Sequence, residues 1–123
     1  MKEQRECLYY SADKSGSLPF MDIYETAESL VFEIDLPGIY PEDVSIKVYD
    51  DIVIIEGVKR ERPGGAGYRY LCMERSFESF RRMVKIPVRV NTMAGKATYS
   101  EGIVKLAFPK IKDKVIRISI EKE

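Results

Sequence analysis

Segment after segment of this chain alternates apolar and polar residues with a period of two. Leu30, Phe32, Ile34 and Leu36 fall on one side of an extended backbone, with Glu33 and Asp35 on the other. Val44, Ile46 and Val48 repeat the pattern around Ser45 and Lys47. Val84 and Ile86 alternate with Met83 and Lys85, and Val104, Leu106 and Phe108 with Lys105 and Ala107. Ile116, Ile118 and Ile120 alternate with Arg117 and Ser119. Ile52-Val53-Ile54-Ile55 is a continuous apolar run, which predicts a strand covered on both sides. No window of helical length carries an i, i+3, i+4 stripe.

Turn chemistry separates the runs. Pro37-Gly38 stops the first, and Asp50-Asp51 links two strands closely enough for a hairpin. Glu101-Gly102 joins Ala97–Ser100 to Ile103–Phe108, with Gly102 free to take the positive φ of a tight turn. Pro87 and Pro109 end strands by removing a ladder donor. Short strands spaced by turns, with no helix to cover a parallel sheet, predict an all-β fold, an antiparallel immunoglobulin-like β-sandwich. It is expected to occupy residues 20–110. Residues 1–19 form a polar arm with an apolar cluster at Cys7-Leu8-Tyr9-Tyr10, and residues 111–123 a tail. Glycine-rich residues 61–68 lead to Arg69-Tyr70-Leu71-Cys72-Met73, which reads as one more strand on a flexible tether, an excursion over about 58–74.

Composition narrows the function. The chain has 123 residues, 45% hydrophobic and 33% charged, enough for one domain with its own core. No apolar run reaches bilayer length, and Met1–Glu6 is charged where a signal peptide would be apolar, so cytoplasmic residence is expected. Cys7 and Cys72 are read as free thiols of a reducing compartment. The chain lacks histidine, which removes nucleophile–histidine catalysis and the commonest metal ligand. No phosphate-binding G-x-x-x-x-G-K-[ST] loop is present, and no helix start follows Gly64-Gly65-Ala66-Gly67. Glu42-Asp43 and Asp50-Asp51 sit at predicted turns, as ordinary solvated acids do. An enzyme, a cofactor, a metal and a small-molecule substrate are therefore not expected.

Charge is unevenly spread. From Phe20 to Gly57 there are ten acids and one base, Lys47; from Val58 to Lys96 there are ten bases and three acids. The halves pair within a chain, or one chain's basic segment lies on another's acidic one. A nucleic-acid surface at Arg81, Arg82, Lys85 and Arg89 is the competing reading. Net zero charge and the acids among these bases favour a solvated, partly paired strand face instead.

The ordered motifs resemble the small heat shock proteins, built on the α-crystallin domain. Asp22-Ile23-Tyr24-Glu25 is similar to the family's first strand and Asp35-Leu36-Pro37-Gly38 to its DLPG turn. Glu74-Arg75-Ser76-Phe77-Glu78-Ser79-Phe80 resembles its ERSxGxF stretch, with Glu78 where glycine is usual, so this turn is expected to avoid positive φ or to bear strain. Ala97-x-Tyr99-x-x-Gly102-Ile103-Val104 followed by Phe108-Pro109-Lys110 resembles the A-x-x-x-n-G-V-L signature, and Ile118-Ser119-Ile120 the I-x-I tail motif.

The resemblance implies an ATP-independent holding chaperone for unfolding clients. It implies a tail plug at Ile118 and Ile120, docking between the strand of Val44, Ile46 and Val48 and the strand around Tyr99. Ile116 with Ile118 is an alternative register, and periodicity alone equally allows a last strand packed in its own core. It also implies a dimer made by exchange, with Arg69, Tyr70, Leu71, Cys72 and Met73 crossing to a partner's first strand at Met21 and Ile23; the alternative is a hairpin closed within one chain. Leu8, Tyr9, Tyr10 and Leu18 form a client-binding arm by hypothesis. Expected partners are copies of this chain and unfolding proteins, with no nucleic acid and no membrane span. The rival reading is a β-sandwich interaction module that binds one dedicated folded partner as monomer or dimer.

Overall fold

The alternating segments become the strands of a sandwich. A computed structural model of the chain describes residues 19–61, 67–112 and 116–123. Its strands are β1 (Met21–Glu25), β2 (Ser29–Asp35), β3 (Val44–Tyr49), β4 (Ile52–Val58), β5 (Ser79–Lys85), β6 (Lys96–Ser100) and β7 (Ile103–Pro109). They form two antiparallel sheets, ordered β1-β2-β7-β6 and β3-β4-β5. Two single-turn 3-10 segments, Pro41–Asp43 and Thr92–Ala94, interrupt the connections.

Period-two patterning sets which face is buried. Phe32 and Ile34 of β2, with Leu106 and Phe108 of β7, face Val53, Ile55 and Val84 of the other sheet. Phe32 and Phe108 meet edge to face with centroids 6.1 Å apart. Each such side chain, fully buried, contributes about 1.5–3 kcal/mol of transfer free energy. Gly57 sits where a close approach demands it. A Cβ there would lie 2.5 Å from the Asp43 carbonyl oxygen and 2.9 Å from the Phe80 ring.

The predicted turns form. Glu101 and Gly102 both take positive φ (53° and 76°), the backbone of a two-residue hairpin turn. The Gly102 carbonyl accepts from the Leu36 N–H at 2.8 Å, which ties the Pro37-Gly38 turn to this hairpin. Asp50 also takes positive φ (54°), while Glu78 does not, as expected of a side-chain-bearing residue at that position.

Two expectations need correction. The run Ile52–Ile55 is covered on one side: Val53 and Ile55 are buried, but Ile52 and Ile54 lie half-buried on the outer face of β4. Arg69–Met73 is not a strand within the chain. A strand needs a hydrogen-bonded neighbour, and the fold offers this segment none of its own.

Candidate functional site

Among the described residues no cleft gathers reactive groups, so the surfaces left unpartnered by the fold are the candidate site. Among the described residues no cluster of three or more Cys, Asp and Glu side chains is placed to hold a metal ion. Among them, too, no helix is long and apolar enough to cross a membrane.

Four strands end their sheets: β1 and β6 in one, β3 and β5 in the other. Arg82 fixes how these edges stack. Its Nη1 donates to the Pro19 carbonyl oxygen at 3.1 Å, just before β1. So β5 lies beneath β1, and the edges β3 and β6 fall on the opposite side of the sandwich. This arginine was expected on a solvated face. It is buried, and its Nε has no hydrogen-bond partner. Its inward position follows from register: Arg82 pairs with Ile55 of β4, on the core side. The other bases of that row are dispersed. Arg81 pairs with Glu56 at 3.5 Å and Lys85 with Asp51 at 3.8 Å.

On the first side, β1 ends its sheet, and no strand among the described residues lies on its outer edge. Met21 and Ile23 do not offer their side chains there, because both pack into the chain's own core. What remains available is the main-chain ladder, with Asp22 and Tyr24 on the outer face. Tyr24 donates to Glu33 Oε1 at 3.2 Å. Desolvation, then this hydrogen bond and the nearby Glu33 charge, raise the Tyr24 phenol above its ordinary range. The segment from Gly67 to Glu78 returns to the same end of the sandwich with its side chains out. Leu71 is 85% exposed, and Tyr70 and Met73 are also open to solvent. Cys72 is an exposed free thiol. Arg69 has no ion-pair partner among the described residues, and Arg75 stacks on Phe77 at 5.2 Å. A cavity of about 400 Å³ opens between this segment and the start of β1, floored by Leu36, Ile39 and Phe80 and lipped by Phe20, 74% exposed.

On the opposite side, Val44, Ile46 and Val48 of β3 are half-buried along an open edge. Tyr99 of β6 is half-buried too, and its hydroxyl donates to the Leu36 carbonyl oxygen at 2.8 Å. The four residues share an apolar margin between the sheets, with free backbone on both strands. Ile116, Ile118 and Ile120 are exposed and belong to no strand, so the reading as a last strand in the chain's own core does not hold. The tail's root is fixed. Lys110 reaches Glu25 at 3.3 Å and the Thr26 carbonyl oxygen at 3.2 Å, and the Ile111 N–H donates to Arg89. The arm residues Leu8, Tyr9, Tyr10 and Leu18 lie outside the described residues.

Of the two charge arrangements foreseen for the two halves, pairing within the chain is present. Pairs within the chain join them: Arg60 grips Asp43 with two hydrogen bonds, at 2.7 and 2.9 Å, and this contact raises the guanidinium's pKa further. Lys47, at 3.0 Å, lowers the Glu56 carboxyl below its usual range through a hydrogen bond and its charge, with Arg81 adding to it. Asp22 and Arg69, at the open edge and on the returning segment, stay outside these pairs. Sequence reasoning missed the inward Arg82 and the cavity beside β1. The alternation of Phe80, Arg82 and Val84 carries the arginine's signal; the cavity has none in one segment, since its wall comes from several.

Comparison with known proteins follows this geometry. The family model described as "Hsp20/alpha crystallin family" matches residues 22–121. The chain is 32% identical over 102 residues to small heat shock protein C2 of Rickettsia felis, covering 83% of this chain and 66% of that protein. It is 35% identical over 95 residues to an 18.9 kDa heat shock protein of Oryza sativa subsp. japonica, covering 76% of this chain and 54% of that one. The crystal structure of a small heat-shock protein from Xylella fastidiosa superposes with a TM-score of 0.72 at 25% identity, covering 88% of this chain and all of that one. The chain thus spans roughly half to two thirds of the length of these curated relatives.

Proposed function

Because the chain belongs to the Hsp20/alpha crystallin family of small heat shock proteins, we propose that it is an ATP-independent holdase that binds unfolding proteins and slows their aggregation. The observation that carries this reading is the pairing of open sheet edges with exposed apolar segments of the same chain. An unpaired edge is a template for another extended chain. In the resting protein the chain's own copies fill that role. The segment Arg69–Met73 of one subunit adds to the free edge of β1 in its partner, where acidic Asp22 awaits a basic strand. The isoleucines of the tail dock on the margin of Val44, Ile46, Val48 and Tyr99 in a neighbouring dimer. The arm residues Leu8, Tyr9, Tyr10 and Leu18 and the margins freed by loosened contacts then hold apolar stretches of a client.

Release needs no nucleotide: holding competes with aggregation by mass action, and refolding partners remove the client. Residence in the cytoplasm suits this role.

Light scattering from a heat-unfolding client in buffer without ATP tests the reading. Suppression is expected near equimolar subunits. No suppression at several-fold excess of folded, assembled protein overturns it, and favours a module for one folded partner.

A further inference from the structure

The tail carries one isoleucine more than a pair. Ile116, Ile118 and Ile120 share one side of an extended backbone and are 78%, 82% and 98% exposed. The row on which the tail is proposed to dock is also of three, Val44, Ile46 and Val48 along β3. Both rows repeat every two residues, roughly 6.5–7 Å in extended chain. Three projecting side chains in a line leave two intervals between them. Two isoleucines fill those intervals, and the third is left over.

Shifting the tail by one residue turns every isoleucine away from the row. Shifting it by two keeps all of them on it and exchanges one pair for the other. We propose that the tail docks in two registers two residues apart, through Ile116 with Ile118 or through Ile118 with Ile120. This rests on the tail-docking reading above. Ile118 is seated in both registers, so it is the fixed anchor, and the outer isoleucines substitute for one another. The two registers change the length of the bridge between dimers by about 7 Å. One tail sequence then serves assemblies of more than one spacing.

The test is an alanine series in the full chain, read by the concentration at which the assembly half-dissociates and by native mass spectrometry. These side chains are exposed, so an unchanged thermal midpoint confirms that each variant folds. Ile116→Ala and Ile120→Ala each remove one of two registers. Each is expected to shift the midpoint about twofold at most and to narrow the size distribution. Ile118→Ala and the double variant Ile116→Ala/Ile120→Ala leave no register with two seats. Each is expected to shift it about tenfold or more, the loss of one seated aliphatic side chain. The signature is strong non-additivity of the two outer positions.

An effect of either outer variant as large as that of Ile118→Ala means one fixed register and overturns the proposal. Equal, additive effects at all three positions mean three seats and overturn it as well. So does a small effect of Ile118→Ala beside a large effect of the triple alanine variant. If the triple variant assembles unchanged, the tail-docking reading itself fails and this inference with it.

Discussion

The space between the sheets and the segment from Gly67 to Glu78 use the same kinds of residue toward opposite ends. Between the sheets, Phe32, Ile34, Val53, Ile55 and Phe108 are closed off from water, and their backbones are tied into ladders. In the segment, Tyr68, Tyr70, Leu71 and Met73 stand in solvent, and no ladder runs through them. Apolar character alone therefore does not decide burial here. The apolar residues that face the opposite sheet became core, and those of the segment, which no sheet covers, stayed in solvent.

Substitutions sharpen this contrast. The largest effect is expected inside. Phe32→Ala removes a fully buried ring and leaves a cavity beside Phe108, which costs about 3–5 kcal/mol in a urea titration. Gly57→Ala puts a methyl group 2.5 Å from the Asp43 oxygen, and a loss of about 1–3 kcal/mol is expected in the same titration. A neutral result would show that the β3–β4 corner yields without cost.

In the segment the order reverses. Leu71→Ser with Met73→Ser is expected to change the stability of the single domain by less than about 0.5 kcal/mol, since both side chains are exposed. Sedimentation of the same variant should show weakened dimers. Unfolding at low concentration with unchanged dimers would reverse the assignment of this segment to assembly.

The smallest effect is electrostatic. Lys47 and Arg81 hold the Glu56 carboxyl below its ordinary pKa. Its ionised form thus adds stability above the ordinary carboxylate range, and that stability fades as pH falls through the lowered value. The pair is exposed, so the contribution is slight. Glu56→Gln should leave a melt at neutral pH nearly unchanged and flatten the acid limb slightly. A steeper acid limb would contradict the direction of the shift.

Much of the fold was legible because its strands obey one rule throughout. Each face of Leu30–Leu36 and of Val104–Phe108 could be assigned from alternation alone, and the turns at Asp50 and at Glu101-Gly102 from their chemistry. The run Ile52–Ile55 was less legible, because four apolar residues in sequence do not say whether a second layer belongs to the same chain. Arg82 was misplaced for a related reason. An arginine in a basic row reads as solvated, and only the neighbours Phe80 and Val84 reveal that its position points inward. The segment Arg69–Met73 has a strand's composition, but composition does not supply the neighbour that makes a strand. The edges β3 and β6 bring together residues far apart in sequence, and their alignment depends on how the two sheets stack.

The anchoring of the tail's root has a mechanical consequence. Lys110 continues β7 and is tied to Glu28 and Thr26, just before the start of β2, while its ammonium also grips Glu25 of β1. A pull on the tail along β7 therefore arrives at the β2–β7 ladder in shear, spread over all its rungs from Ser29 to Asp35. It does not unzip them one at a time. The same pull reaches the last residue of β1 through Glu25. If tails join dimers and β1 pairs with a partner as proposed, tension between neighbouring dimers reaches the pairing edge too, and strain at one joint of the assembly is shared with the other.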